Sequence, residues 1–261
     1  MVTIDSDKCI GCQRCIFVCP FTVLEVKDGK PSIHPEKQCL NCMHCAAVCP
    51  EKALGLDSEK GTLPGELPLL PENFSGMLED FLFLRRSYRH FKPEPVPKEE
   101  LEHALHVAAW APSAKNQHPT KWIVINQVDK IQEIMHLILQ YIEKTGISPE
   151  VAKEYEHGNN VVMGTANTII MSYTGPNAIN PPVDSALALY TAELILQSKG
   201  IGTCWAGYLT RLSNQIPEVR ELLQLPEGCQ ICSALMVGYP ENETYIHIPN
   251  RKKKPAIRWI E

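Results

Sequence analysis

Eight cysteines near the start of this chain are spaced for metal chemistry. Cys9, Cys12, Cys15 and Cys19 precede Pro20, and thirty residues further on Cys39, Cys42, Cys45 and Cys49 precede Pro50. Each run reads C-x2-C-x2-C-x3-C-P. Thiolates at this spacing hold three corners of an iron–sulfur cubane from one tight loop, and the fourth cysteine of each run reaches across to the other cluster. One [4Fe–4S] cluster is therefore expected on Cys9, Cys12, Cys15 and Cys49, and a second on Cys39, Cys42, Cys45 and Cys19. Structural zinc takes four ligands, usually as two pairs, which leaves the third cysteine and the closing Cys-Pro of each run without a role. Disulfides need an oxidising, secretory setting. Residues 1–8 carry neither the charged nor the apolar region of a signal peptide.

The elements that must position these thiols are short. Residues 21–26 read as a strand, and Asp28-Gly29 before Pro31 is a turn signal, so hairpin strands around two cluster loops are expected. This segment resembles bacterial-type ferredoxins with two [4Fe–4S] centres over residues 1–55. A stretch of that size buries too little apolar surface to fold alone, so metal binding and folding should be coupled.

The chain has 261 residues, room for a large domain beyond the small one. Residues 56–76, with Gly61, Pro64, Gly65, Pro68 and Pro71, read as an extended and fairly stiff linker. Residues 77–261 then form the second expected domain. A helical pattern starts at Met77, and another helix opens near Pro97 with Glu99 and Glu100 in its first turn. Ile131, Ile134, Met135, Ile138, Leu139 and Ile142 follow helical periodicity over 131–143. Residues 122–125, 168–173 and 231–237 read as strands. Asp184 is placed to cap a helix over 185–199, apolar around most of its circumference and therefore expected in a core or a subunit interface. With no strict βαβ alternation and no G-x-G-x-x-G after a strand, the fold class is α+β.

Three polar segments in the second domain suit a phosphate-bearing cofactor. Arg85-Arg86-Ser87-Tyr88-Arg89 puts three guanidiniums and a hydroxyl in five residues, a set able to meet a phosphate with bidentate hydrogen bonds. Residues 111–119 hold Pro112, Ser113, Ala114, Asn116 and His118 between two prolines, a stiff loop offering donors to a heteroaromatic ring or a polyol chain. The third is the basic run from Arg251 to Lys254. Taken singly, each also reads as an ordinary solvated face or loop.

In this order, R-R-S-x-R, P-S-x-x-N-x-x-P, G-I-G-T-C-W-A-G, G-Y-P and R-x-K-x-P, the segments resemble the FMN-dependent nitroreductase family over residues 77–261. That resemblance implies a central, mainly antiparallel sheet flanked by helices and a homodimer with FMN at its interface. Arg85, Arg86, Ser87 and Arg89 are then implied on the phosphate and ribityl side of FMN, and Arg251 and Lys253 at the phosphate. Pro112, Ser113, Ala114 and Asn116 are implied in a loop that the family contributes from the partner subunit. Gly207 is implied near flavin N5, flanked by Cys204, Trp205 and Ala206. His118 stands where many relatives carry glutamine, and Ala206 where some carry an acidic residue.

A net charge of −5 offers no broad basic surface for nucleic acid. No run approaches about 18 apolar residues, so no membrane span and a cytoplasmic location are expected. The CxxC at Cys229 and Cys232 falls within an apolar strand pattern and reads as core. Glu193 and Tyr190 read as locally satisfied residues of the apolar helix. A flavin exchanges one or two electrons and a cubane exchanges one, so a chain with both couples the two kinds of traffic. The sequence thus points to an oxidoreductase that passes electrons between two [4Fe–4S] clusters and FMN and reduces a small organic acceptor such as a nitroaromatic or quinone. Its donor would be reduced ferredoxin or NAD(P)H, and no residue is assigned a covalent or acid–base catalytic role. The alternative is an electron-transfer module that links ferredoxin or NAD(P)H to a protein partner.

Overall fold

In the computed structural model the described residues are 2–56, 67–241, 245–249 and 255–260. They form two compact units, Met1–Pro71 with Lys115–Gln117, and Glu72–Ala114 with His118–Glu261. Residues 57–66 of the expected linker lie outside the described residues.

The first unit repeats one backbone path twice. Strand β1 (Val2–Ile4) pairs antiparallel with β4 (Leu54–Leu56), so the two cysteine runs hang between the paired ends. Each run carries a single helical turn, α1 (Arg14–Phe17) and α2 (His44–Ala47), entered through a left-handed residue, Gln13 at φ 62° and Met43 at φ 61°. Gly11 and Asn41, and Thr22 and Lys52, are left-handed at matching places. The two copies differ at the first of these pairs. A Cβ on Gly11 would stand 2.8 Å from the Gly29 carbonyl oxygen, so this copy accepts only glycine there. The hairpin of β2 (Leu24–Lys27) and β3 (Lys30–Ile33) turns at Asp28 (φ 52°) and Gly29 (φ 77°), the paired positive φ of a type I′ turn. Its first strand starts at Leu24, later than the sequence suggested, because Thr22 is left-handed and still belongs to the turn after Cys19-Pro20. Val2, Leu24, Ala46, Ala53, Leu54 and Leu56 form a small core around Cys15.

The second unit is built on four antiparallel strands in the order β5 (Lys121–Ile125), β6 (Thr168–Thr174), β8 (Gln230–Gly238) and β7 (Gly202–Trp205). Alternate residues point to opposite faces of a strand, and the two apolar layers follow from that. Ile169, Met171, Ala234 and Met236 join α5 (Val128–Thr145), α8 (Gly207–Gln215) and α9 (Pro217–Leu222). Ile170, Leu235 and Val237 join α4 (Lys98–Ala108) and α7 (Pro181–Ser198). The α+β architecture expected from the sequence is what forms.

Several local expectations are corrected. The helix expected from Met77 begins at Phe74 as α3 (Phe74–Leu84), and it buries none of its residues, leaving Phe74, Met77, Leu78, Leu82, Phe83 and Leu84 exposed. Helix α7 begins at Pro181, so Asp184 lies inside its first turns and does not cap it. Only one side of α7 is buried within the chain; Val183, Leu187 and Tyr190 are exposed on the other. Uniform apolar composition told that this helix needs cover, and the sheet supplies it on a single face. The short α6 (Pro149–Glu156) follows a left-handed Ser148 at φ 56°. Among the described residues no helix is long and apolar enough to cross a membrane.

Gly164 couples the fold to the arginine-rich segment. It is left-handed at φ 55°, and an added Cβ would press into the carbonyl of Arg89, which also accepts the Thr165 N–H at 3.0 Å. Gly164→Ala combines an unfavourable backbone conformation with a clash against main chain, an expected loss of about 2–4 kcal/mol. In a unit of this size that lowers Tm by roughly 4–16 °C. Thermal unfolding of the two proteins checks it, and equal midpoints would remove the close approach from the account.

Candidate functional site

In the first unit the fold brings the eight cysteines together in the crossed arrangement. Cys9, Cys12, Cys15 and Cys49 line one small cavity. Cys19, Cys39, Cys42 and Cys45 line another, walled by Val2, Phe21, Leu24 and Leu56. Backbone N–H groups already point at three of the sulfurs: Val23 donates to Cys19 Sγ (3.2 Å), Asn41 to Cys39 Sγ (3.4 Å) and Ala53 to Cys49 Sγ (3.3 Å). Such donors stabilise thiolate charge and raise the potential of a bound cluster. Among the described residues no three Cys, His, Asp or Glu side chains are grouped closely enough for a single metal ion. Four thiols spread around a cavity suit the outer corners of a cubane better. Burial pushes the Cys45 thiol up to about 11, with the neighbouring thiols adding to the rise, and burial raises Cys15 too. Both thiols therefore hold their protons until iron displaces them, so loading such a cage releases protons.

In the second unit the arginine segment is laid along the sheet edge by hydrogen bonds that reach far in sequence. It leaves α3 at Arg85 and runs beside β7, where Ser87 bridges Thr203 and the Tyr88 N–H donates to the Thr203 carbonyl at 2.9 Å. From α7, Gln197 grips Arg86 on both sides: its Oε1 accepts the Arg86 N–H (3.2 Å) and its Nε2 donates to the Arg86 carbonyl (2.8 Å). One turn earlier stands Glu193, 1% exposed. Its carboxylate accepts from Arg85 Nη1 (3.2 Å), Trp205 Nε1 (2.6 Å), Thr203 Oγ1 (3.3 Å) and Gln197 Nε2 (3.3 Å). Sequence reasoning left Glu193 a locally satisfied residue and passed over Gln197. The available signal was two polar residues four apart in an otherwise apolar helix.

The predicted contact residues divide by what they touch. Arg86 turns its guanidinium to the Phe83 and Arg85 carbonyls and stacks 5.7 Å above the Tyr245 ring. Arg89 is exposed, with Nη1 donating to the Ser87 carbonyl at 3.4 Å. Ser87 Oγ and the other side-chain donors of Arg85 have no protein partner among the described residues, so they are available to a phosphate or polyol. Cys204 and Ala206 are buried behind the strand end, while Trp205 and Gly207 face outward. Arg89, Trp205, Gly207 and Met236 line a cleft of about 610 Å³ together with Glu150, Tyr208 and Arg211. There the Tyr208 hydroxyl donates to Glu150 Oε1 (3.2 Å), and Arg211 Nη2 donates to Ser148 Oγ (2.7 Å) with its guanidinium 5.3 Å from the Tyr208 ring centre. An open cleft with cationic groups and a flat aromatic wall fits the ring and side chain of a flavin nucleotide. Arg251 and Lys253 lie outside the described residues.

The proline-flanked loop does not line that cleft at Pro112, Ser113 or Ala114. It is fixed from α7 instead. The Asp184 carboxylate, 3% exposed, accepts the Ala114 N–H at 2.9 Å, the contact that replaces its expected capping role. Ser113 Oγ accepts the His118 N–H at 2.9 Å, and Lys115, Asn116 and His118 are all left-handed. Asn116 belongs to the first unit, where its amide donates to the Leu40 carbonyl at 3.1 Å.

These sites can be set beside known proteins. The nitroreductase family profile matches residues 83–239, more than half of the chain. The chain belongs to the nitroreductase family. A 4Fe-4S dicluster domain profile matches residues 1–60, and 29 residues of the chain are 59% identical to ferredoxin-2 of Desulfomicrobium norvegicum, covering 49% of that protein. Among curated relatives, iodotyrosine deiodinase of Danio rerio is 27% identical over 191 residues, 66% of this chain and 62% of that protein. A putative NADH dehydrogenase/NAD(P)H nitroreductase of Archaeoglobus fulgidus is 25% identical over 167 residues, 62% of this chain and 84% of that protein. In structure, a nitroreductase with bound FMN from Bacteroides fragilis superposes with a TM-score of 0.61 at 22% identity, over 70% of this chain and 98% of that one. This nitroreductase-family chain thus carries an N-terminal 4Fe-4S dicluster domain.

Proposed function

We propose that this nitroreductase-family protein binds FMN against residues 85–89 and 204–207 and two [4Fe–4S] clusters in the crossed cysteine cages. It would pass electrons between them to reduce a small organic acceptor such as a nitroaromatic or quinone. The observation that carries the reading is the convergence of Arg89, Trp205 and Gly207, from segments far apart in sequence, on one open cleft in a chain that also gathers eight thiols around two cavities. Bound FMN supplies the exchange between one- and two-electron chemistry. The chain's own part is to bind and orient: Arg85 and Ser87 hold donors toward the phosphate and ribityl side, and Trp205 and Gly207 flank the ring. The proposed domains are 1–55, a linker at 56–76, and 77–261.

Homodimer formation fits the exposed apolar faces of α3 and α7, which need cover that the single chain does not give. It also fits Pro112, Ser113 and Ala114, which do not line the cleft of their own unit and would serve a partner's. The donor is ferredoxin or NAD(P)H, and the setting is cytoplasmic. Anaerobic titration of the loaded protein with NADH, NADPH and reduced ferredoxin in turn, followed by single turnover with a nitroaromatic or a quinone, tests the proposal. Transfer between clusters and flavin, with reoxidation by the small acceptor, is the expected result. A flavin reoxidised only by a protein would replace the enzyme reading with an electron-transfer module.

A further inference from the structure

We propose that Glu193 is a positioning residue for the flavin site, joining Arg85 and Trp205 through one buried carboxylate so that FMN affinity depends on Glu193 by way of Arg85. This rests on the proposed role of residues 85–89 and 204–207 in holding FMN.

The geometry carries it. Glu193 is almost wholly buried, and a buried carboxylate persists only where charge and hydrogen bonds compensate it. Its four donors come from three elements: Arg85 from the loop after α3, Thr203 and Trp205 from β7, and Gln197 from its own helix. Helix α7 therefore sets the two outward-facing segments relative to each other. Arg85 is 24% exposed as against 1% for Glu193, so the carboxylate takes Nη1 on the inner edge and leaves the outer edge of the guanidinium free. A planar fork held on one edge is pre-organised on the other, which lowers the entropy lost when a phosphate or polyol binds. The same carboxylate holds the Trp205 indole by its N–H at 2.6 Å, fixing a ring that lines the cleft. Local packing of an apolar helix does not require this arrangement; a leucine at 193 would fill the same layer.

A double-mutant cycle tests it on cluster-loaded protein stripped of FMN, with rebinding followed by flavin fluorescence quenching. Glu193→Gln keeps shape and removes charge. It should weaken FMN binding about tenfold in the parent and only about two- to threefold in an Arg85→Ala background, where the Arg85 arm is already gone and only the Trp205 arm is left to lose. Effects that add in the double variant would overturn the positioning role and leave Glu193 a general packing residue. Arg85→Ala alone separates the two levels: if it leaves FMN affinity unchanged, the proposed flavin contact at Arg85 fails, whatever Glu193 does. Should Glu193→Gln not load clusters, Trp205→Phe removes only the indole donor from a partly exposed ring. The proposal then expects weaker FMN binding by about threefold or more, and unchanged binding would sink it.

Discussion

Cys49→Ala is expected to remove the cluster held by Cys9, Cys12 and Cys15, although Cys49 lies in the other run; Cys19→Ala is expected to remove the cluster held by Cys39, Cys42 and Cys45. The crossed cavities underlie this, with one cysteine of each run on the far cage. Iron content should fall from about eight to about four per chain in either variant. Pairing variants identifies which cage is lost. Adding Cys12→Ala to Cys49→Ala should cost no further iron, whereas adding Cys42→Ala should remove nearly all of it. The opposite pattern would mean that each run holds its own cluster. Folding of the first unit should suffer as well. Its core is a handful of side chains around Cys15 and Ala46, too little to offset chain entropy, so losing one cluster removes a large share of its stability. Iron and sulfide analysis with EPR of the reduced protein gives the answer.

Arg85→Ala is expected to release FMN while leaving cluster absorbance intact. A hydrogen bond from a guanidinium to a charged partner contributes about 1.5–3 kcal/mol, so FMN dissociation constants should rise roughly 10- to 150-fold. Flavin fluorescence quenching measures this, and equal flavin occupancy in variant and parent would remove Arg85 from the site. A second effect follows from the ion pair with Glu193 at 3.2 Å. Without Arg85 the buried carboxylate keeps three neutral donors and no cation, and the variant should lose about 1–3 kcal/mol of stability. Arg85→Ala with Glu193→Gln should then recover stability but not FMN affinity. The two readouts separate binding from folding.

What could be read in the sequence was chemistry that depends on local spacing. Thiolates three and four residues apart must converge on a compact ligand, so the cysteine runs specified cages without knowledge of the fold, and Asp28-Gly29 specified its hairpin through the positive φ both residues adopt. Helical periodicity located α5 for the same reason, because a repeat of three to four residues is written in the residues themselves. The R-R-S-x-R motif named Arg85 but not its partner, since Glu193 stands 108 residues away. Whether Asp184 capped its own helix or held Ala114, 70 residues distant, depended on how α7 crosses the sheet. Which face of α7 is covered depended on the same packing, and so did the absence of any buried residue in α3. A polar residue in an apolar helix declares that it needs a partner; only close packing of strands and helices decides which partner is within hydrogen-bond reach.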